Sequence, residues 1–178
     1  MIFNFPSVGL RLNAPLPHSE DDGSTRGVVM VLGGRKPSPF LLEDLKNLGW
    51  ELWAVDKGLE SCKRVCWRPS MVLGDMDSVH SEALNWAQRL GVPMDVHPVD
   101  KDLTDFQLAL ERASKISSLS QGEAVPVLAT GCVRGKAGSP NELYDELLLC
   151  PWGCASWHGR SSGNGFHIER GREDFLGV

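Results

Sequence analysis

A short apolar run that ends in two carboxylates one residue apart constrains this chain more than any other stretch: Met71-Val72-Leu73-Gly74-Asp75-Met76-Asp77-Ser78. An apolar run closed by Gly reads as a buried strand reaching its C-terminal end, the edge at which open α/β sheets place ligands. Two Asp side chains crowded there repel unless a cation lies between them. Mg²⁺ takes hard oxygen ligands from one or two carboxylates and shares its remaining positions with substrate phosphates. Taken alone, the same residues also suit a plain turn, with Ser78 capping the next helix.

The surrounding sequence alternates strand and helix signals. Gly27 to Leu32 is a β-branched apolar run closed by Gly33-Gly34. These glycines suit close backbone approach to a phosphate but lack the spacing of a Rossmann fingerprint or a P-loop. Ser38-Pro39 opens a helix to about Leu48, with Leu41, Leu42, Leu45 and Leu48 as its buried stripe. Glu51 to Val55 is a second strand, again followed by a carboxylate, Asp56. A helix is expected near Leu59 to Val65, then the strand ending at Gly74, then a helix over Val79 to Leu90 with a stripe of Val79, Ala83, Ala87 and Leu90. Met94 to Val99 gives a short strand. A further helix runs from Leu103, with Asp102 as N-cap and Asp105 in its first turn, and Ala124 to Thr130 is one more strand. This alternation predicts a three-layer α/β/α sandwich around a mainly parallel sheet.

In that fold Asp56, Asp75, Asp77, Asp102 and Asp105 all follow strands or open a helix and so converge on one sheet edge. Five carboxylates require neutralisation, which Lys101 supplies in part and a divalent metal with bound polyphosphate would complete. With 18 basic against 23 acidic residues the net charge is −5, which argues against a nucleic-acid partner. The longest clean apolar run, Val28 to Leu32, is too short for a membrane span, and the first residues lack a signal-peptide pattern, so the expected location is the cytoplasm. Five cysteines without an export signal read as reduced thiols. Cys150, Cys154 and His158 recur every four residues, but Pro151, Gly153 and Gly159 break the helix that would turn them into metal ligands.

Three motifs in this order and spacing resemble those of the thiamine pyrophosphokinase (thiamine diphosphokinase) catalytic domain: Asp56-Lys57-Gly58, Gly74-Asp75-Met76-Asp77-Ser78 and Lys101-Asp102-Leu103-Thr104-Asp105. Met76 replaces the family's Phe, and Lys57 stands where a small residue is usual. The resemblance covers roughly Gly27 to Gly131. It implies Mg-dependent transfer of pyrophosphate from ATP to thiamine, giving thiamine diphosphate and AMP. It further implies Asp75, Asp77 and Asp105 as catalytic, metal-holding carboxylates, and Asp56, Lys101, Asp102 and Thr104 as the lining of the ATP and thiamine sites. The family is homodimeric. Two alternatives stand beside it: a non-catalytic relative that binds Mg-nucleotide or nothing, and another D-x-D metal-dependent nucleotide enzyme.

The expected organisation is an irregular extension over 1–26, the catalytic domain over 27–131, and an atypical tail over 132–178 in which the family's C-terminal β-sandwich is absent. Where the family has Gly-Gly-Arg-x-Asp-His, this chain reads Cys132-Val133-Arg134-Gly135-Lys136-Ala137-Gly138-Ser139-Pro140-Asn141-Glu142. Joining the last two bases of each codon to the first of the next, from Arg134, is compatible with Gly-Gly-Arg-Leu-Asp-His-Leu-Met. The expectation is therefore that residues from about Arg134 are translated out of frame, and the Gly/Ser/Arg-rich tail reads as disordered.

Overall fold

The computed structural model describes residues 2–13, 27–98, 104–119, 125–131, 147–150 and 167–170. Its centre is a six-stranded sheet. In chain order the strands are β3 (Val28–Val31), β4 (Glu51–Val55), β5 (Met71–Gly74), β6 (Met94–Val96), β7 (Val127–Thr130) and β8 (Leu147–Cys150). A separate small sheet holds β1 (Ile2–Phe5), β2 (Leu10–Asn13) and β9 (His167–Arg170). The central order is β6-β5-β4-β3-β7-β8, parallel from β6 to β7, with β8 antiparallel on the edge.

The chain steps outward from β3 through β4 and β5 to β6, then returns to add β7 on the other side of β3. Right-handed crossovers in one direction put their helices on one face, and the return puts its helix on the other. The packing follows this rule. α1 (Pro39–Lys46), α2 (Gly58–Arg64) and α3 (Ser81–Arg89) bury Leu41, Leu42, Leu45, Leu59, Ala83 and Ala87 against Val29, Val31, Leu52, Ala54 and Val72. α4 (Asp105–Leu119) covers the opposite face, where Ala109 and Ala113 meet Met30, Trp53, Val55, Leu73 and Ala129. Buried on both faces, the strands are apolar throughout instead of alternating.

The helix starts obey local chemistry. Ser38 Oγ accepts from the Phe40 N–H at 3.2 Å, with Pro39 in the first turn, as the sequence predicts. At α4 the expectation of an Asp102 cap is corrected: the helix begins at Asp105 and Thr104 caps it. Thr104 Oγ1 accepts from the Gln107 N–H at 3.3 Å, while Gln107 Oε1 accepts from the Thr104 N–H at 2.8 Å, a reciprocal capping box. In α3, Val79, Ala83 and Ala87 are buried as expected, whereas Leu90 is exposed.

The first residues also differ from the irregular lead-in that the sequence suggests. β1 and β2 pair antiparallel, Phe3 with Leu12 and Phe5 with Leu10. Phe3, Phe5 and Leu12 are buried in the core beneath α1, and the Phe3 ring stands edge-on to Trp50, 5.3 Å between centroids at 84°. A polar staple fixes the hairpin: Ser7 donates to buried Asp44 of α1 through both its N–H and its hydroxyl, each at 2.9 Å. Replacing Asp44 by Ala strands both donors and is expected to cost about 1–3 kcal/mol, measurable as a lowered urea midpoint. Within the tail, β8 and β9 are strands where the sequence suggests disorder; Cys154 and His158 lie outside the described residues.

Candidate active site

The register Val55↔Leu73 sets the ends of β4 and β5 side by side, so Asp56 leaves the sheet against Gly74. The Asp56 N–H donates to the Leu73 carbonyl at 2.8 Å. Gly74 has φ +135°, and a Cβ there would lie 3.3 Å from Asp56 Cβ and 3.4 Å from Asp105 Oδ1. Its missing side chain is what lets two acidic residues close over the end of β5. Asp56 at φ +49° and Met76 at φ +62° occupy the left-handed region, which costs a non-glycine residue about 1–3 kcal/mol and clusters at functional sites. These two turns aim the carboxylates inward.

The result is a group of three. Asp56, Asp75 and Asp77 each offer a carboxylate oxygen, all within 4.8 Å of one another. Ser78 Oγ donates to Asp56 Oδ2 at 2.8 Å, and the Asp77 N–H donates to Asp75 Oδ1 at 3.2 Å. Asp56 Oδ1 is buried and has no hydrogen-bond donor among the described residues. A buried carboxylate oxygen without a donor, facing two further carboxylates, is the all-oxygen donor set that a hard divalent cation fits.

Asp77 registers the crowding. Its carboxyl is held above the usual range, first by the hydrogen bond it shares with the Asp75 side chain, then by loss of water and by the charges of Asp75 and Asp56; the Ser78 backbone opposes this. An acid whose folded pKa is raised binds more protons folded than unfolded. In chelator, stability should therefore fall as pH rises from about 3.8 through the raised value, and stay reduced above it. Saturating Mg²⁺ should flatten that slope in a pH series of thermal melts.

The residues foreseen from sequence distribute unevenly. Asp75 and Asp77 come together, but their close partner is Asp56, foreseen only as lining. Asp105 lies across Gly74 and is not one of the three. The Thr104 hydroxyl engages Gln107. Lys101 and Asp102 lie outside the described residues. Ser78, expected as a helix cap, instead holds Asp56, while His80 occupies the α3 N-cap position without a side-chain capping bond.

Beside the carboxylates opens a cleft of about 290 Å³ that sequence reasoning missed, lined among others by Gly33, Gly34, Lys36, Lys57, Glu60 and His80. Glu60 spans it: Oε1 lies 2.5 Å from His80 Nδ1 and Oε2 lies 3.9 Å from Lys36 Nζ. Burial pushes the Glu60 carboxyl up, but the His80 hydrogen bonds and the charges of His80 and Lys36 together outweigh it and leave it below its ordinary value. On the reverse side of α2, Cys62 is buried, its thiol pushed up to about 12 by loss of water, and therefore inert as a nucleophile.

Known proteins place these features. The sequence model described as "Thiamin pyrophosphokinase, catalytic domain" matches residues 46–137, more than half of the 178. A thiamine pyrophosphokinase from Bacillus subtilis superposes with a TM-score of 0.50 at 22% identity, over 63% of this chain and 49% of that one. A thiamin pyrophosphokinase family protein from Enterococcus faecalis gives 0.45 at 22%, over 62% and 48%. Yeast thiamin pyrophosphokinase gives 0.43 at 18%, over 56% and 33%. The chain thus spans about half the length of the Bacillus subtilis protein, and at such identity the likeness is one of fold. No curated protein matches the chain. On the strength of the match over residues 46–137, the chain belongs to the thiamin pyrophosphokinase family and carries its catalytic-domain sequence.

Proposed function

We propose that the protein transfers a pyrophosphoryl group from ATP to thiamine in a Mg²⁺-dependent reaction that yields thiamine diphosphate and AMP. The observation that carries this reading is the convergence of Asp56, Asp75 and Asp77, with a buried orphan oxygen on Asp56, in a chain of this family. The three carboxylates would hold Mg²⁺, with Asp105 lining the same edge. When bound, the cation would neutralise charge on the phosphates of the donor.

In the reaction the hydroxyethyl oxygen of thiamine forms a bond to the β-phosphorus, the bridge from that phosphorus to the α-phosphate oxygen breaks, and AMP leaves. The alcohol proton passes to a carboxylate of the cluster. The chain's part is to orient: Ser78 fixes one oxygen of Asp56 and the left-handed turn at Met76 fixes the spacing of Asp75 and Asp77. Positioning and charge stabilisation supply most of the rate in phosphoryl transfer. By the same resemblance we place the protein in the cytoplasm as a homodimer. Among the described residues no helix is long and apolar enough to cross a membrane.

The test is incubation of the purified full chain with ATP, Mg²⁺ and thiamine. AMP and thiamine diphosphate should form in equal amounts, and AMP should be absent when thiamine is omitted. A second reading, a non-catalytic Mg-nucleotide binder, draws support from the Cys132 to Glu142 sequence standing where the family's Gly-Gly-Arg-x-Asp-His belongs. ATP binding without AMP release would select it. We further propose a change of reading frame near Arg134, which the end of the family match at residue 137 supports. Resequencing codons 128–145 should then reveal one base gained or lost; an intact frame overturns that proposal.

A further inference from the structure

The cleft beside the carboxylates has walls of the opposite charge. Lys36 and Lys57 contribute two positive charges, and His80 a ring nitrogen, against the single carboxylate of Glu60, which is already paired to His80 and Lys36. In a chain with net charge −5 this is a local reversal of sign. The cleft is also built to stay open. A Cβ on Gly33 would fall 2.7 Å from Lys57 Cβ and 3.0 Å from the Lys57 nitrogen, so this stretch of its lining has to remain bare backbone. Glu60, largely buried at 17% side-chain exposure, holds two exposed side chains at the rim, Lys36 at 69% and His80 at 78%. A buried acid that orients two exposed donors is a positioning device.

The cleft adjoins the carboxylates through the chain itself: Lys57 follows Asp56, and His80 stands two residues after the Ser78 that donates to Asp56. We infer that the cleft is a phosphate subsite, in which Lys36 and Lys57 supply charge and His80, held by Glu60, supplies a directed ring nitrogen to one phosphate of the nucleotide. This rests on the nucleotide chemistry proposed above. It adds that the phosphate chain is gripped in two places of opposite character, carboxylates with a cation at one and protein cations at the other. Anions that reach such a cleft gain charge-assisted hydrogen bonds without a metal.

The full-length protein is titrated calorimetrically in chelator, without divalent metal, with inorganic pyrophosphate and separately with AMP. Wild type should bind at least one of them. A Lys36→Ala, His80→Ala double variant should bind that anion roughly tenfold more weakly, the effect of losing one charge-assisted contact. Both side chains are exposed, so the variant should melt as wild type does. Asp77→Asn should bind the anion without metal at least as tightly as wild type. AMP as the tighter ligand assigns the cleft to the leaving group; pyrophosphate assigns it to the transferred group. Binding absent from wild type, or unchanged in the double variant, overturns the subsite. If pyrophosphate binding depends on Lys36 and His80 but thiamine releases no AMP, the subsite stands and the pyrophosphokinase reading falls.

Discussion

Asp56→Asn should abolish metal-dependent turnover and at the same time raise the melting temperature in chelator. Both effects come from one atom. Asp56 Oδ1 is buried without a donor and faces Asp75 and Asp77, so without a cation the folded state carries an uncompensated repulsion that the unfolded chain lacks. Asn fits the position: it tolerates the left-handed backbone at φ +49°. Its amide oxygen can still accept from Ser78 Oγ, and its NH₂ donates toward the neighbouring carboxylates. The expected gain is about 2–4 °C, which corresponds to ~1 kcal/mol in a domain of this size. The expected loss of turnover, on the order of 10²–10³, follows from removing one group that organises charge stabilisation. Melting scans with and without Mg²⁺ read both ends: wild type should gain stability with the ion by mass action and the variant should not. A variant that melts lower than wild type in chelator would refute the assignment of repulsion.

Gly58→Ala should produce the largest loss of stability of any single methyl addition in the site. A Cβ at Gly58 would lie 1.8 Å from the Val31 carbonyl oxygen and 3.1 Å from the Leu32 nitrogen. Both are backbone atoms of the central strand or its immediate exit, so no side chain can turn aside. α2 must lift away from β3, opening the contact of buried Leu59 and Cys62 with the core. A cost of about 3 kcal/mol or more is expected, at the upper end of overpacking effects. The displacement also carries Lys57 and Asp56, two residues upstream, so the carboxylate group should lose its spacing. Guanidinium unfolding measures the first effect and Mg²⁺ titration the second. Gly49→Ala makes a useful comparison, because nothing lies within 4 Å of a Cβ there and only its φ of +68° opposes the change.

The central sheet was legible because each strand announces itself twice, by an apolar run buried on both faces and by the Gly or Asp that ends it, as at Val31, Val55 and Gly74. The hairpin of β1 and β2 was not. Strands of four residues carry too few alternations to register, and what stabilises them, the burial of Phe3 and Phe5 and the grip of Asp44 on Ser7, is tertiary. At α4 two helix-start signals compete within three residues. Thr104 with Gln107 prevails because it satisfies two backbone donors reciprocally, where an Asp alone satisfies one.

The same distinction divides the site. Asp75 and Asp77 are neighbours in sequence and were found there. That Asp56 is the third of the group depends on the register of β4 against β5, which sequence does not print. The cleft draws Lys36, Lys57 and His80 from three separate segments, each unremarkable alone, and only the fold assembles them.

The small sheet has a consequence for synthesis. β2 pairs with β9, Leu10 opposite Arg170, so one of the first segments to leave the ribosome finds its neighbour only after nearly all of the chain has emerged. Contacts at such separation form slowly, since a long loop must be closed before pairing is rewarded. During translation the outer edge of β2 is an unpaired ladder of backbone donors and acceptors, open to the same segment of another nascent chain. Clustered ribosomes on one message would then be where this protein first risks aggregation, and slower initiation, which spaces those ribosomes apart, should raise its soluble yield.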